Sequence, residues 1–188
     1  MIKTSLGVNM IREEFKKILL DQRGAAVILW SGFFISVPIY ILIARHLLTN
    51  PRLGTSVSVA EPARIILWLL TIVDLGYYVY WRKHNFSAAA IGRGARGTKL
   101  LRALEEFKGA AEERAAYVVS TYVTRKVVIF AIIEAIAVYG LVLALVGRFV
   151  HDFYLLCALT LVLLAVEFPS ARSIAAMVDA AEHETVTQ

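Results

Sequence analysis

Long apolar stretches separated by short polar or basic segments are the main pattern along this chain. About 20 apolar residues in a helix cross the hydrocarbon core of a bilayer, at a rise of about 1.5 Å per residue. The pattern therefore predicts an all-α, polytopic membrane protein with two transmembrane hairpins. The four predicted membrane spans are Ala25–Leu48, Ala63–Trp81, Val127–Val146 and Phe153–Phe168.

The polar segments between the spans predict how the chain is organised. The first hairpin closes through a polar loop in which Pro51, Gly54 and Pro62 indicate a turn. The second closes through GRFVHD, so short that the last two spans must be antiparallel neighbours. The predicted segments are an N-terminal region, a first hairpin, a basic connection, a second hairpin and a tail: 1–24, 25–81, 82–126, 127–170 and 171–188.

Two amphipathic helices are predicted outside the spans. In the first, VNMIREEFKKILL places apolar residues on one face and charges on the other. This is the pattern of a helix on the membrane surface, with Lys16 and Lys17 near anionic lipid, and equally of a helix packed on a partner protein. The second covers residues 98–126, where apolar residues recur at steps of three and four. It can continue into the third span, and it can dock a partner or lie flat on the bilayer.

The distribution of basic residues predicts the orientation. The formal net charge is +5, and ten lysines and arginines lie in residues 82–126 and five in residues 1–24. Short loops rich in these residues stay in the cytoplasm, so both termini and the central connection are predicted to be cytoplasmic. Basic residues of the connection are predicted to contact lipid headgroups: Arg82, Lys83, Arg93 and Arg96.

The composition excludes most soluble function classes. Hydrophobic residues make up 59% of the chain and the mean hydropathy is +0.66, whereas a soluble domain is about 45–50% apolar. No cleavage site follows the first span, which we expect to remain as an anchor. Cys157, the single cysteine, lies in the fourth span and is predicted to be a packed thiol.

No arrangement of residues predicts catalysis. GRGARG has the glycine spacing of a dinucleotide fingerprint, but the strand that must precede such a turn is not predicted here. No nucleophile with a base, histidine cluster or acid pair with catalytic spacing is found outside the predicted spans. We expect no enzyme activity, no cofactor, no metal and no nucleic-acid partner.

Carboxyl groups within the spans are the candidate functional groups. A charge at mid-span costs about 2.5–3.5 kcal/mol on insertion scales, so a neighbouring group must offset it. Asp74 lies eight residues before Arg82, and Glu134 eight after Lys126, which places both about 12 Å from the cytoplasmic boundary. The candidate ion-binding group is Glu134, Asp74, Thr71, Tyr78 and Glu167.

Two interpretations of these acids remain open. In one they are protonated or share a proton, and they join the helices by hydrogen bonds. In the other they bind and release a proton or cation during transport. A line of small residues following Glu134 on the third span predicts close helix packing: Ala137, Gly140, Ala144 and Gly147.

The segment EAIAVYGLVLALV, which begins at Glu134, resembles the outer helix of the proteolipid ring subunit of rotary ATP synthases. The resemblance is confined to residues 131–146 and implies that Glu134 is an ion-binding carboxylate. The layout of the whole chain, with DFYLLCAL and EFPSAR after the third span, is similar to that of small four-span bacterial membrane proteins of unassigned activity. This second resemblance implies the cytoplasmic (inner) membrane of a bacterium.

These observations predict a non-enzymatic accessory or structural subunit of the inner membrane. Its partners are expected to be the lipid bilayer and other membrane subunits or copies of itself, contacted through the spans and the helix at 98–126. The alternative is a proton or cation carrier that uses Glu134 and Asp74.

Overall fold

The structure is a computed structural model that describes residues 13–49, 57–85, 110–170 and 172. This part of the chain is helical and contains no strand, as the apolar pattern predicts. Its four helices are α1 (Glu13–Leu48), α2 (Val57–Asn85), α3 (Ala110–Gly147) and α4 (Val150–Val166).

Two segments in the described part are long and apolar enough to cross a membrane. They are Arg23–Leu48 in α1 and Ser120–Gly147 in α3, and α4 is a shorter apolar helix. The all-helical fold class is thus confirmed, together with two candidate membrane spans.

Helix boundaries differ from the predicted ones in two places. From Glu13 onward the predicted N-terminal segment and the first span form one helix. Residues 110–126 continue into the third span without a break, which is one of the arrangements that the sequence allows. Residues 98–109 lie outside the described residues. The prediction of a turn at Pro62 is wrong, because α2 begins at Val57 and contains this proline. Its fixed φ is compatible with a helix, and near the N-terminus it removes only one hydrogen bond.

The chain divides into two compact units. The first, here called the bundle unit, comprises Ile28–Lys83 and Val127–Phe168, and the second comprises Met1–Val27, His84–Lys126 and Pro169–Gln188. Within the second unit, Arg125 donates a hydrogen bond to the carbonyl of Asn85, and Arg23 Nε donates to the carbonyl of Pro169 at 3.4 Å.

In the bundle unit α3 is the most enclosed helix. Seven of its apolar residues are buried: Ile129, Phe130, Ile133, Ile136, Ala137, Leu143 and Ala144. Ile136 and Leu143 form a cluster with Leu156 of α4, against which Leu67 and Trp68 of α2 pack. Helix α3 therefore carries much of the core that α2 and α4 share.

The connection between α3 and α4 consists of Arg148 and Phe149 alone. Arg148 has a φ of 57°, and the N–H of Phe149 donates to the carbonyl of Leu143 at 3.3 Å. A Cβ at Gly147 would meet the Phe149 ring, which would have to shift. The tight turn confirms that the last two helices are antiparallel neighbours.

Candidate functional site

Asp74 of α2 is paired with a tyrosine on α3. The Tyr139 hydroxyl donates a hydrogen bond to Asp74 Oδ2 at 2.9 Å. Thr71, one turn away on α2, is fully buried and donates to the carbonyl of Leu67 on its own helix at 2.9 Å. Asp74 is therefore bonded to Tyr139 of α3. Tyr78, which lies four residues after Asp74 on the same face of α2, is bonded to Glu167 instead.

Glu167 is the most enclosed carboxyl group of the candidate set and lies just after α4. Its side chain is only 3% exposed. The Tyr78 hydroxyl donates to Glu167 Oε1 at 2.7 Å, and Arg82 Nη1 donates to the Tyr78 oxygen at 3.2 Å. Arg82 Nε also lies 3.3 Å from Glu167 Oε1. An ion pair and one hydrogen bond connect α2 to the end of α4, and the second hydrogen bond lies within α2.

Glu134 of α3 is paired with a third tyrosine, on α1. The Tyr40 hydroxyl donates to Glu134 Oε1 at 2.7 Å. Glu134 itself is half-buried, and Val138 and Val142, one and two turns further on, are 37% exposed. Residues four apart share a helix face, so Glu134 lies on the exposed stripe of α3.

The small residues of α3 lie on an enclosed part of the helix surface. Ala137 and Ala144 are fully buried. A Cβ at Gly140 would lie 3.2 Å from Leu156 Cβ and 3.3 Å from the ring and the carbonyl oxygen of Phe153. Helix α3 therefore lies close to α4 at Gly140, whereas Gly147 is at the turn.

Four of the five candidate ion-binding residues are distributed over three interfaces, and Thr71 bonds within α2. Asp74 connects α2 to α3, Glu134 connects α3 to α1, and Tyr78 with Glu167 connects α2 to α4. Among the described residues, no three His, Cys, Asp or Glu side chains lie close enough to hold a metal ion. The arrangement supplies separate hydroxyl-to-carboxyl hydrogen bonds between helices.

The predicted lipid contacts are described only in part. Arg82 is bound to Glu167 while its side chain stays 53% exposed, and Lys83 is exposed. The side chains of Lys16 and Lys17, and all of Arg93 and Arg96, lie outside the described residues. Lipid binding by these six residues stays a prediction.

Sequence reasoning missed an ion pair at the other end of α2. Arg64 Nε lies 2.6 Å from Asp152 Oδ2 and Nη2 donates to Oδ1 at 3.3 Å. The guanidinium carbon also lies 4.9 Å from the centre of the Phe149 ring. Asp152 is in the first turn of α4, where a carboxylate interacts favourably with the helix dipole. The position of Asp152 directly after the short turn between α3 and α4 was the feature of the sequence that could have indicated this ion pair.

Two side-chain-to-backbone hydrogen bonds were also missed. Trp30 Nε1 of α1 donates to the carbonyl of Leu164 on α4 at 2.8 Å, and the Trp30 ring meets Phe168 edge to face. Thr160 Oγ1 of α4 lies 3.4 Å from the carbonyl oxygen of Ile133. Carbonyl acceptors give no residue-specific signal in a sequence.

Comparison of the chain with protein-family models, curated proteins and solved structures finds no significant match.

Proposed function

We propose that this chain is a four-span membrane protein that acts without catalysis, as an accessory or structural subunit working through helix contacts. The observation that carries the proposal is the pairing of Asp74, Glu134 and Glu167 with tyrosine hydroxyls of other helices. A carboxyl group that accepts such a bond joins two helices, and in an apolar setting the bond also offsets part of the cost of burial.

The pairs support a structural role for Asp74 and Glu167 in particular. Glu167 accepts from Tyr78 and lies beside Arg82 with almost no exposed surface. Transport would require it to exchange these partners for an ion. Removing either partner weakens the compensation of a buried carboxylate, which is costly, so these contacts favour a fixed helix arrangement.

The outer face of α2 supports two parts of the proposal: that α2 lies in the membrane, and that the chain contacts a partner protein. It exposes ten large apolar side chains: Val59, Ile65, Ile66, Leu69, Leu70, Ile72, Val73, Tyr77, Val79 and Tyr80. A continuous apolar surface of this kind is found where lipid or another protein covers it. We take α2 and α4 as the second and fourth spans on this basis.

The proposed topology places both termini and residues 82–126 in the cytoplasm of a bacterium. The basic residues of that connection support this orientation, and the Arg64–Asp152 pair then lies near the outer surface. In a Cys157→Ser background, a cysteine at Lys83 should react with an impermeant maleimide only after the cells are opened. A cysteine at Arg148 should react in intact cells, and the reverse pattern would overturn the orientation.

The accessory role is tested by photo-crosslinking in native membranes. A benzoylphenylalanine at Leu69, which is 57% exposed on α2, is expected to give a discrete protein adduct. The matched position is Leu155, which is 54% exposed on α4 and is expected to give mainly lipid adducts. Lipid adducts alone at both positions would count against the accessory role.

A second candidate function, a proton or cation carrier, is favoured by the place of Glu134 on the exposed stripe of α3. If the chain carries ions, Glu134→Gln should abolish proton or cation flux in proteoliposomes. Flux that is absent from both the native chain and the variant would remove this candidate without affecting the crosslinking result.

A further inference from the structure

A groove opens beside Glu134 on the surface of the bundle unit. It has a volume of about 300 Å³ and is lined by Glu134 and by Ile28, Leu29, Gly32 and Phe33 of α1. Ile28 is 73% exposed and Leu29 is 41% exposed, so the groove is entered from the side of the bundle. It is an apolar site with a single ionisable group.

The hydrogen bonding of Glu134 is incomplete. Oε1 accepts from Tyr40, but Oε2 has no hydrogen-bond or ion-pair partner among the described residues. A carboxylate exposed to the apolar part of a bilayer is costly unless a cation or a proton donor meets it. Glu134 lines the groove, so its carboxyl group is within reach of a molecule that occupies it.

A second copy of the chain cannot supply the missing cation at this depth. The sequence has no lysine or arginine in residues 28–44, 65–81, 127–147 or 149–171. The α1 wall of the groove, residues 28–33, extends over only about 9 Å. A docked helix is held by anchors over about two turns or more. A small molecule that carries its own positive charge fits these dimensions better.

We propose that this groove binds a lipophilic organic cation, such as an aryl quaternary ammonium or phosphonium compound that enters from the bilayer. Its charge would lie against Glu134 Oε2, and its apolar part against Ile28 and Leu29. The Phe33 ring adds the aromatic face that such cations favour. Gly32 leaves the groove open, since a Cβ there would meet nothing within 4 Å. The site is independent of the accessory role proposed above.

The test is binding of radiolabelled tetraphenylphosphonium to the full-length chain in nanodiscs, with empty nanodiscs subtracted. We expect saturable binding that benzyltrimethylammonium displaces and its uncharged isostere neopentylbenzene does not. Glu134→Gln should weaken binding about tenfold or more, corresponding to about 1.4 kcal/mol. Glu61→Gln, which changes an exposed carboxyl on α2 outside the groove, should leave the affinity unchanged.

The variant Gly32→Leu tests whether binding requires the open groove or only the Glu134 carboxylate. A Cβ at this position meets nothing within 4 Å, and we expect the leucine side chain to fill the groove and abolish tetraphenylphosphonium binding while Glu134 is intact. Equal binding by the native chain and Glu134→Gln, or equal displacement by the charged and uncharged competitors, would overturn the proposal. So would a crosslink from Gly32→Cys to a membrane protein that persists at saturating tetraphenylphosphonium, because a protein helix would then occupy the groove.

Discussion

Replacing Gly140 by leucine is expected to lower the free energy of unfolding by about 3 kcal/mol. Even a Cβ at this position would lie 3.2 Å from Leu156 Cβ and 3.3 Å from the carbonyl oxygen of Phe153. The backbone of α4 cannot move away without opening the core that Leu143 and Leu156 form. The measurement is an SDS titration of the purified chain in mixed micelles, followed by circular dichroism.

Two variants control for the change of residue type. Gly140→Ala should cost about 1 kcal/mol, because only the Cβ must be accommodated. Gly76→Leu should be neutral or stabilising by up to about 1 kcal/mol, since a Cβ at Gly76 meets nothing within 4 Å and glycine is a poor helix former. Equal effects at Gly140 and Gly76 would show that α3 and α4 are not in close contact there.

Replacing Arg82 by glutamine is expected to cost about 2 kcal/mol, the range of a hydrogen bond to a charged group. The change removes a positive charge that compensates Glu167, whose side chain is 3% exposed and also accepts a hydrogen bond from the Tyr78 hydroxyl. Arg82 is half-exposed, which places the cost below that of breaking a fully buried pair. The same SDS titration measures it.

Lys83→Gln is the matched control for the loss of a positive charge at this level of the chain. Lys83 is exposed, and a surface charge of this kind contributes about 0–1 kcal/mol. If Lys83→Gln and Arg82→Gln destabilise the chain equally, the effect comes from general electrostatics and the contact with Glu167 contributes nothing of its own.

The hydrophobic pattern was sufficient to predict the helices and the close approach of α3 to α4. The predicted start of the last span, Phe153, lies three residues from the start of its helix at Val150, whereas α2 begins six residues before the predicted Ala63. The small residues at Ala137, Gly140 and Ala144 predict an enclosed face. Both features depend only on local sequence. Pro62 was misplaced for the same reason, because local propensity indicates a turn where the apolar surface of α2 continues.

The partners of the carboxyl groups were not predictable in this way. Glu134 and Tyr139 are five residues apart, which is a rotation of about 140° around α3. Glu134 therefore meets α1 while Tyr139 meets α2. The sequence predicts Asp74 and Glu134 at the same depth in the membrane. The helix that each acid contacts depends on tertiary packing, which the sequence pattern does not show. In each case a tyrosine side chain of another helix reaches the carboxyl group.

The most direct test of the account is modification by the membrane-soluble reagent dicyclohexylcarbodiimide. The claim to be tested is that two acids of the proposed spans differ in accessibility. Glu167 is enclosed by Tyr78 and Arg82, whereas Glu134 is open to the lipid side. Peptide mapping by mass spectrometry after treatment of native membranes should find the reagent on Glu134 and not on Glu167. Modification of Glu167 at the same rate, or an unreactive Glu134, would contradict the account.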